Sequence, residues 1–142
     1  MTEQITPEYL SFATEHHASD IFIIAGRPLS FKINGKLSIY GEPLMPADTE
    51  ILLRQIYQMS NNRNFDRFLE IGDDDFSFSI PGLSRFRVNT YRQRGSLAAV
   101  IRVIAFELPD PGILNIPEDV MSVSDFTKGM VLVTGPAGSG KS

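Results

Sequence analysis

Hydrophobic and polar side chains alternate in several short segments of the first hundred residues. Such alternation is typical of strands with one buried face and one solvated face. A further segment is predicted to be a strand from its β-branched residues, and Asn34-Gly35 is a strong signal for a two-residue hairpin turn. The predicted strands cover residues 21–26, 29–33, 36–40, 76–80, 85–91 and 97–104.

Three segments with helical spacing of apolar residues lie between these strands. The first begins at Thr6-Pro7-Glu8, where a cap, a proline and an acid suit a helix N-terminus. The second runs from Pro46 to about Met59, and the third is expected to be capped by Ser60 and ended by Gly72. Together these elements predict an α+β domain with five or six antiparallel strands and helices on one face.

Two clusters of polar residues are candidate metal ligands. Asp73-Asp74-Asp75 lacks the spacing of a calcium loop, so we expect a solvated turn, with pairing to nearby arginines. His16-His17 ends the first helix, but adjacent helical residues point in different directions and no third ligand is near. Neither cluster is predicted to hold a metal.

The last eight residues read G-x-x-x-x-G-K-S, a phosphate-binding loop. Residues 129–134 before it form an apolar run that predicts a buried parallel strand. We expect Lys141 to reach the β- and γ-phosphates of ATP and Ser142 to bind Mg²⁺. The predicted cofactor-binding residues are Gly135, Pro136, Ala137, Gly138, Ser139, Gly140, Lys141 and Ser142.

The position of this loop predicts that the chain is the leading part of a larger ATPase. The residues that supply a second Mg²⁺ ligand and position water follow the loop in such enzymes, so hydrolysis by the 142-residue chain alone is not expected. Pro109-Asp110-Pro111-Gly112 breaks regular structure and marks a linker, followed by a short helix from Pro117 to about Phe126. The predicted divisions are residues 1–108, a linker over 109–116, and 117–142.

Composition narrows the function classes. The net charge of −4 argues against a general nucleic-acid binder, and the absence of cysteine excludes disulfides and thiolate metal sites. No apolar run approaches the about 18 residues of a membrane span, so no direct membrane insertion is expected.

Positive charge is concentrated in one strip, residues 83–106, which has five arginines and no acidic residue. One interpretation is that these side chains neutralise phosphate charge, for which the guanidinium fork is suited. The other is that they pair with Asp73 to Asp75 or Glu107. Pairing is favoured for Arg85 and Arg92, whereas the phosphate role is favoured for a second group, which consists of Arg87, Arg94 and Arg102.

The chain resembles the type IV pilus retraction ATPases, the PilT-type members of the type II/type IV secretion ATPase superfamily. The segments that carry the resemblance are residues 18–21, 82–89, 93–96, 98–102 and 129–142. The resemblance implies a PAS-like N-terminal domain, a linker and the first strand and phosphate loop of a RecA-like ATPase domain. It also implies that Arg87, Arg94 and Arg102 approach the nucleotide as catalytic residues. The family often has His at the position of Phe22, so no role of that histidine is carried over.

The resemblance further implies ATP and Mg²⁺ as cofactors and a hexameric ring of identical subunits. Its other expected partner is the inner-membrane pilus platform, at the cytoplasmic face of the membrane. The first hypothesis is therefore a motor that uses ATP hydrolysis to retract pili. Two alternatives stay open, a non-catalytic interaction or oligomerisation module, and a type II secretion, pilus-extension or DNA-transfer ATPase.

Overall fold

A computed structural model describes residues 7–106 and 110–136 of the chain. The chain divides into two compact units, Met1–Phe106 and Glu107–Ser142. The first unit contains, in order, α1 (Glu8–Glu15), β1 (Ala18–Ile23), β2 (Leu29–Ile33), β3 (Lys36–Tyr40), α2 (Pro46–Met59), α3 (Phe65–Ile71), β4 (Asp73–Ile80), β5 (Ser84–Gln93) and β6 (Ser96–Ile104). The second unit contains α4 (Glu118–Met121) and a 3₁₀ turn (Ser122–Asp125).

The six strands form one sheet in the order β3-β2-β1-β6-β5-β4, and every neighbouring pair is antiparallel. Because side chains alternate between faces along a strand, β5 buries Phe86 and Val88 and leaves Arg85 and Arg87 exposed. The α+β class predicted from the sequence is confirmed. We call the face that carries Arg85 and Arg87 the open face.

The helices cover the opposite face of the sheet. α1 packs against β1, α2 against β6, and α3 lies beside β4. Apolar side chains at helical spacing, such as Leu53 and Ile56 of α2, are fully buried against the sheet. This burial is the main stabilising contribution, because a buried aliphatic side chain contributes about 1.5–3 kcal/mol relative to an exposed one.

A polar cluster fastens α2 and the segment before α3 to β4 and β5. The Tyr57 hydroxyl donates to Asp74 Oδ2 at 3.0 Å and lies 2.9 Å from Thr90 Oγ1. Arg63 donates to both carboxylate oxygens of Asp74, at 2.7 and 2.8 Å. The hydrogen bonds from Arg63 are the main cause that lowers the pKa of Asp74, whereas burial raises the pKa of Tyr57.

Two local predictions are wrong. Ser60 does not cap the third helix; it follows the last residue of α2, and Asn64 caps α3 by accepting from the Arg67 amide at 3.0 Å. Left-handed backbone at Asn61 and Asn62 reverses the chain between the two helices. Asp73 begins β4 instead of a turn, because Asp73 and the two residues after it pair in register with β5.

The predicted parallel strand over residues 129–134 is not formed. Val131, Leu132 and Val133 are 60%, 76% and 67% exposed. A strand needs neighbours for its backbone hydrogen bonds, and no strand of the second unit lies among the residues that the structure describes. Among the same residues, no helix is long and apolar enough to cross a bilayer.

Replacing Asp74 tests the polar cluster. A carboxyl whose pKa is lowered by folding adds stability above its unfolded pKa, and this stability is lost as pH falls through the lower folded pKa. Asp74→Asn should therefore lower the free energy of unfolding by about 1–3 kcal/mol at pH 7, and the loss should shrink below about pH 4. Urea unfolding followed by circular dichroism at several pH values measures both effects.

Asp73→Asn is the matched control, since the Asp73 side chain has no hydrogen bond or ion pair in the described part of the chain. It should leave the stability nearly unchanged. An equal loss from both variants at pH 7, or a loss from Asp74→Asn that is independent of pH, would contradict the assignment.

Candidate functional site

Strand register brings two of the predicted arginines side by side on the open face. Arg87 of β5 and Arg102 of β6 are direct cross-strand partners, and Arg102 is in turn the partner of Asp20 in β1. One row across five strands therefore reads Lys32, Asp20, Arg102, Arg87 and Ser77. Like charges directly opposite each other are destabilising, so each arginine of this row requires compensation.

Arg87 is compensated by Asp75. Its Nε donates to Asp75 Oδ1 at 3.2 Å and its Nη2 to Oδ2 at 3.0 Å, the forked geometry that guanidinium forms with a carboxylate. These hydrogen bonds are the main cause that lowers the pKa of Asp75 and raises the pKa of Arg87. Both side chains are well exposed, at 62% for Arg87 and 49% for Asp75.

Arg102 is compensated by Asp20, a carboxylate with a different environment. The Arg102 Nε donates to Asp20 Oδ1 at 3.3 Å, and the Ser19 hydroxyl donates to Oδ2 at 2.8 Å. The Asp20 side chain is only 10% exposed, whereas that of Arg102 is 68% exposed. A register irregularity between Ala18 and Asp20 sets this arrangement, because it places Asp20 on the open face while Ala18 remains buried.

The two ion pairs therefore hold the arginines without enclosing them. Each guanidinium has five N–H donors, of which the carboxylates occupy two on Arg87 and one on Arg102. The remaining donors belong to side chains that are more than half exposed. The site is thus a pair of adjacent guanidinium groups, each oriented by a carboxylate. Their solvent-exposed N–H groups can bind phosphate oxygens.

The other arginines of the strip lie apart from this pair. Arg85 donates to Ser77 Oγ at 3.4 Å, and Arg92 to the Leu69 carbonyl at 2.7 Å. Among the residues that the structure describes, neither has a carboxylate partner, and Glu107, one of the predicted partners, lies outside that part of the chain. Arg94 lies in the turn after β5, seven residues beyond Arg87. At about 3.3 Å per strand residue, the two α-carbons are roughly 23 Å apart. One phosphate group therefore does not bring Arg94 together with Arg87 in the same subunit.

The phosphate loop is largely outside the described residues. Gly135 and Pro136 are described and exposed, whereas Ala137, Gly138, Ser139, Gly140, Lys141 and Ser142 are not. The donor set present in the sequence, namely glycine-rich amides with an ammonium and a hydroxyl, fits a triphosphate and Mg²⁺ by its chemistry.

The sequence offers Asp75 only as one of three acidic residues that could pair with the arginines, a possibility that is confirmed for Arg87. It does not identify Asp20 as the partner of Arg102. A signal for Asp20 was present, since it is an acidic residue next to the apolar run Ile21-Phe22-Ile23-Ile24. Its partner was not readable, because Arg102 lies 82 residues further along the chain.

The two ion pairs should respond differently to loss of the arginine. Arg102→Ala leaves a nearly buried carboxylate without its cation and should cost about 1–3 kcal/mol of unfolding free energy. Arg87→Ala should produce no measurable loss, because both members of that pair are exposed. Chemical unfolding of the two variants gives the comparison.

The double variant Asp20→Asn, Arg102→Ala serves as the control. It should recover part of the stability lost in Arg102→Ala, since no uncompensated charge is then left near the core. Equal losses from Arg87→Ala and Arg102→Ala, or no recovery in the double variant, would contradict this account.

The chain is similar to proteins of the pilus machinery. It is 38% identical over 136 residues to the type IV pilus retraction ATPase PilT of Pseudomonas aeruginosa, a match that covers 95% of the chain and 39% of the relative. It is 32% identical over 134 residues to the type IV pilus ATPase PilU of the same organism, covering 94% of the chain and 34% of that protein. No protein-family model matches the chain.

A solved structure agrees with these relatives. The crystal structure of the pilus retraction motor PilT with bound ADP matches with a TM-score of 0.74 and 37% sequence identity, over 94% of this chain and 39% of that one. The chain thus spans 39% of the length of PilT and 34% of the length of PilU. Over the length that it spans, the chain is similar in sequence and fold to the PilT-type pilus ATPases.

Proposed function

We propose that this chain is the amino-terminal part of a motor ATPase that uses ATP hydrolysis to retract type IV pili. The observation that carries the proposal is the exposed, in-register pair Arg87 and Arg102 in a chain that also has a G-x-x-x-x-G-K-S motif. The similarity to PilT over 95% of the chain supports the retraction role.

In this proposal Arg87 and Arg102 neutralise charge that develops on the transferred phosphoryl group. Positioned guanidinium groups are effective in this role because most of the catalysis of phosphoryl transfer is positioning and electrostatic stabilisation. Asp75 and Asp20 are positioning residues that hold the two guanidinium groups before the nucleotide arrives. The role of Arg94 as a nucleotide contact stays a prediction, because Arg94 lies in the turn after β5, away from Arg87 and Arg102.

The phosphate loop is proposed to bind ATP. Lys141 would donate to phosphate oxygens, the backbone amides from Gly138 onward would surround them, and the Ser142 hydroxyl would ligate Mg²⁺. Bound Mg²⁺ would supply further neutralisation of phosphate charge. We propose domain limits of 1–108 for the PAS-like domain, 109–116 for the linker and 117–142 for the start of the RecA-like domain. The 142-residue chain itself is proposed to be inactive in hydrolysis.

The arginine pair and the phosphate loop belong to different compact units. We propose that the pair of one subunit contacts the nucleotide held by the loop of a neighbouring subunit, within a hexameric ring. The ring would act in the cytoplasm, against the inner-membrane pilus platform. Such an arrangement makes turnover dependent on assembly, because each site is completed by a second copy.

The test uses the longer protein that the proposal requires, which contains this chain and a region equivalent to the rest of its relatives. Lys141→Ala should abolish ATP turnover. Arg87→Ala should lower kcat by about 100-fold or more while the KM for ATP changes much less, since the proposed contact forms in the transition state. Arg85→Ala is the control on the same strand and should retain turnover.

Mixing variants tests the contact between subunits. Assemblies formed from Arg87→Ala and Lys141→Ala subunits should regain part of the turnover, because some interfaces then join an intact arginine pair to an intact loop. Absence of ATP turnover in the unmodified longer protein would refute the proposal that it is an ATPase. Unchanged kcat in Arg87→Ala would refute the arginine role, and failure of the mixture to recover turnover would refute the contact in trans.

A further inference from the structure

A second group of arginines lies at the other end of the sheet. Three arginines in the described part of the chain have no side-chain hydrogen bond, ion pair or ring contact, namely Arg27, Arg67 and Arg94. Two of these three, Arg27 and Arg94, line one cleft of about 300 Å³. We call it the tip cleft; its other lining residues are Ile24, Ala25, Gln93, Ser96, Leu97 and Ala98.

Strand register explains why the two arginines meet. Ile23 pairs with Ala99, so the chain that leaves β1 runs beside the residues at the start of β6. Arg27 is then held in place by its backbone, because the Gly26 amide donates to the Leu44 carbonyl at 2.8 Å and the Leu44 amide to the Arg27 carbonyl at 3.0 Å. One wall of the cleft is therefore fixed before any ligand binds.

The opposite wall is formed by a tight turn with an unusual residue. Gln93 pairs with Ser96, which leaves Arg94-Gly95 as a two-residue hairpin turn with φ values of 50° and 83°. The other two-residue turn of the sheet has the same left-handed geometry with Asn34-Gly35, the residues such a turn favours. Arginine gains nothing from left-handed backbone, so its presence in this turn indicates a requirement for the side chain.

The lining of the tip cleft has an uncompensated positive charge. Among its described lining residues it contains two guanidinium groups and no carboxylate, together with the Gln93 amide and the Ser96 hydroxyl as further hydrogen-bond donors. Two guanidinium forks match a group with charge near −2 and three or more acceptor oxygens, which describes phosphate better than a single carboxylate. The volume lies at the small end of the range of about 300–1,000 Å³ for ligand pockets.

We propose that the tip cleft binds a small phosphate-bearing solute, such as pyrophosphate, at a site separate from the arginine pair. Arg27 and Arg94 hold the phosphate oxygens, and Ser96 and Gln93 complete the hydrogen bonds. The site does not depend on the proposed function, because it needs neither ATP turnover nor a second subunit.

The test is a titration of the ¹⁵N-labelled chain with pyrophosphate, followed by NMR. Lys141→Ala is present in every sample, so that the phosphate loop does not contribute. Saturable shifts should appear at the amides of residues 93–96 and of Arg27. Arg94→Asn should weaken the affinity at least tenfold without lowering the unfolding temperature, since asparagine suits the turn. Arg67→Ala, which removes the unpaired arginine outside the cleft, should bind as the parent does.

Several results would overturn the proposal. They are the absence of saturable shifts, shifts centred on Arg87 and Arg102, an Arg94→Asn variant that binds like the parent, or an Arg67→Ala variant that loses as much affinity. A parallel titration with malonate tests the ligand class. Weaker binding of malonate supports phosphate, whereas equal or tighter binding would overturn the assignment to a phosphate group.

Discussion

The register of three strands, β1, β6 and β5, determines what the open face can do. Asp20 pairs with Arg102, and Arg102 pairs with Arg87, so a carboxylate and two guanidinium groups occupy adjacent positions. A slip of one residue in either strand pair would turn these side chains to the core face, where an unpaired charge is costly. The buried partners Ile21, Ile101 and Val88 prevent such a slip, because they occupy the next row in the same register.

Pairing with carboxylates and a role toward an anion are compatible in this sheet. A guanidinium held from one side keeps most of its donors in solvent, and the loss of side-chain freedom has already occurred when a ligand arrives. The sequence left these two interpretations as alternatives for Arg87 and Arg102. The structure shows that the carboxylate contacts leave both side chains more than half exposed, at 62% and 68%. The ion pairs therefore orient the site without closing it.

Local sequence patterns predict most elements of the first unit, and they fail where contacts with other elements determine the structure. Alternation along β5 predicts both its strand and its exposed arginines, because one face of the sheet is buried. Local sequence predicts a turn at the acidic triplet, because no local rule shows that Asp74 is held by Arg63 and Tyr57 from other elements. The apolar content of residues 129–134 predicts a strand, yet the described part of the second unit has no other strand that could pair with them. Arg94 is far from Arg87 because β5 continues to Gln93, whereas the sequence predicts a strand that ends at residue 91.

The two arginines of the pair differ in how readily they can change partner. Asp20 is nearly buried and also accepts from Ser19, so moving Arg102 away would leave a poorly hydrated carboxylate. Asp75 is half exposed, and water can replace the guanidinium there at little cost. Arg102 is therefore the fixed member of the pair and Arg87 the adjustable one. Arg102 would position a phosphate group that approaches the open face, and the Arg87 side chain would then move to contact it. The two neighbouring cations thus have distinct roles because Asp20 is nearly buried and Asp75 is half exposed.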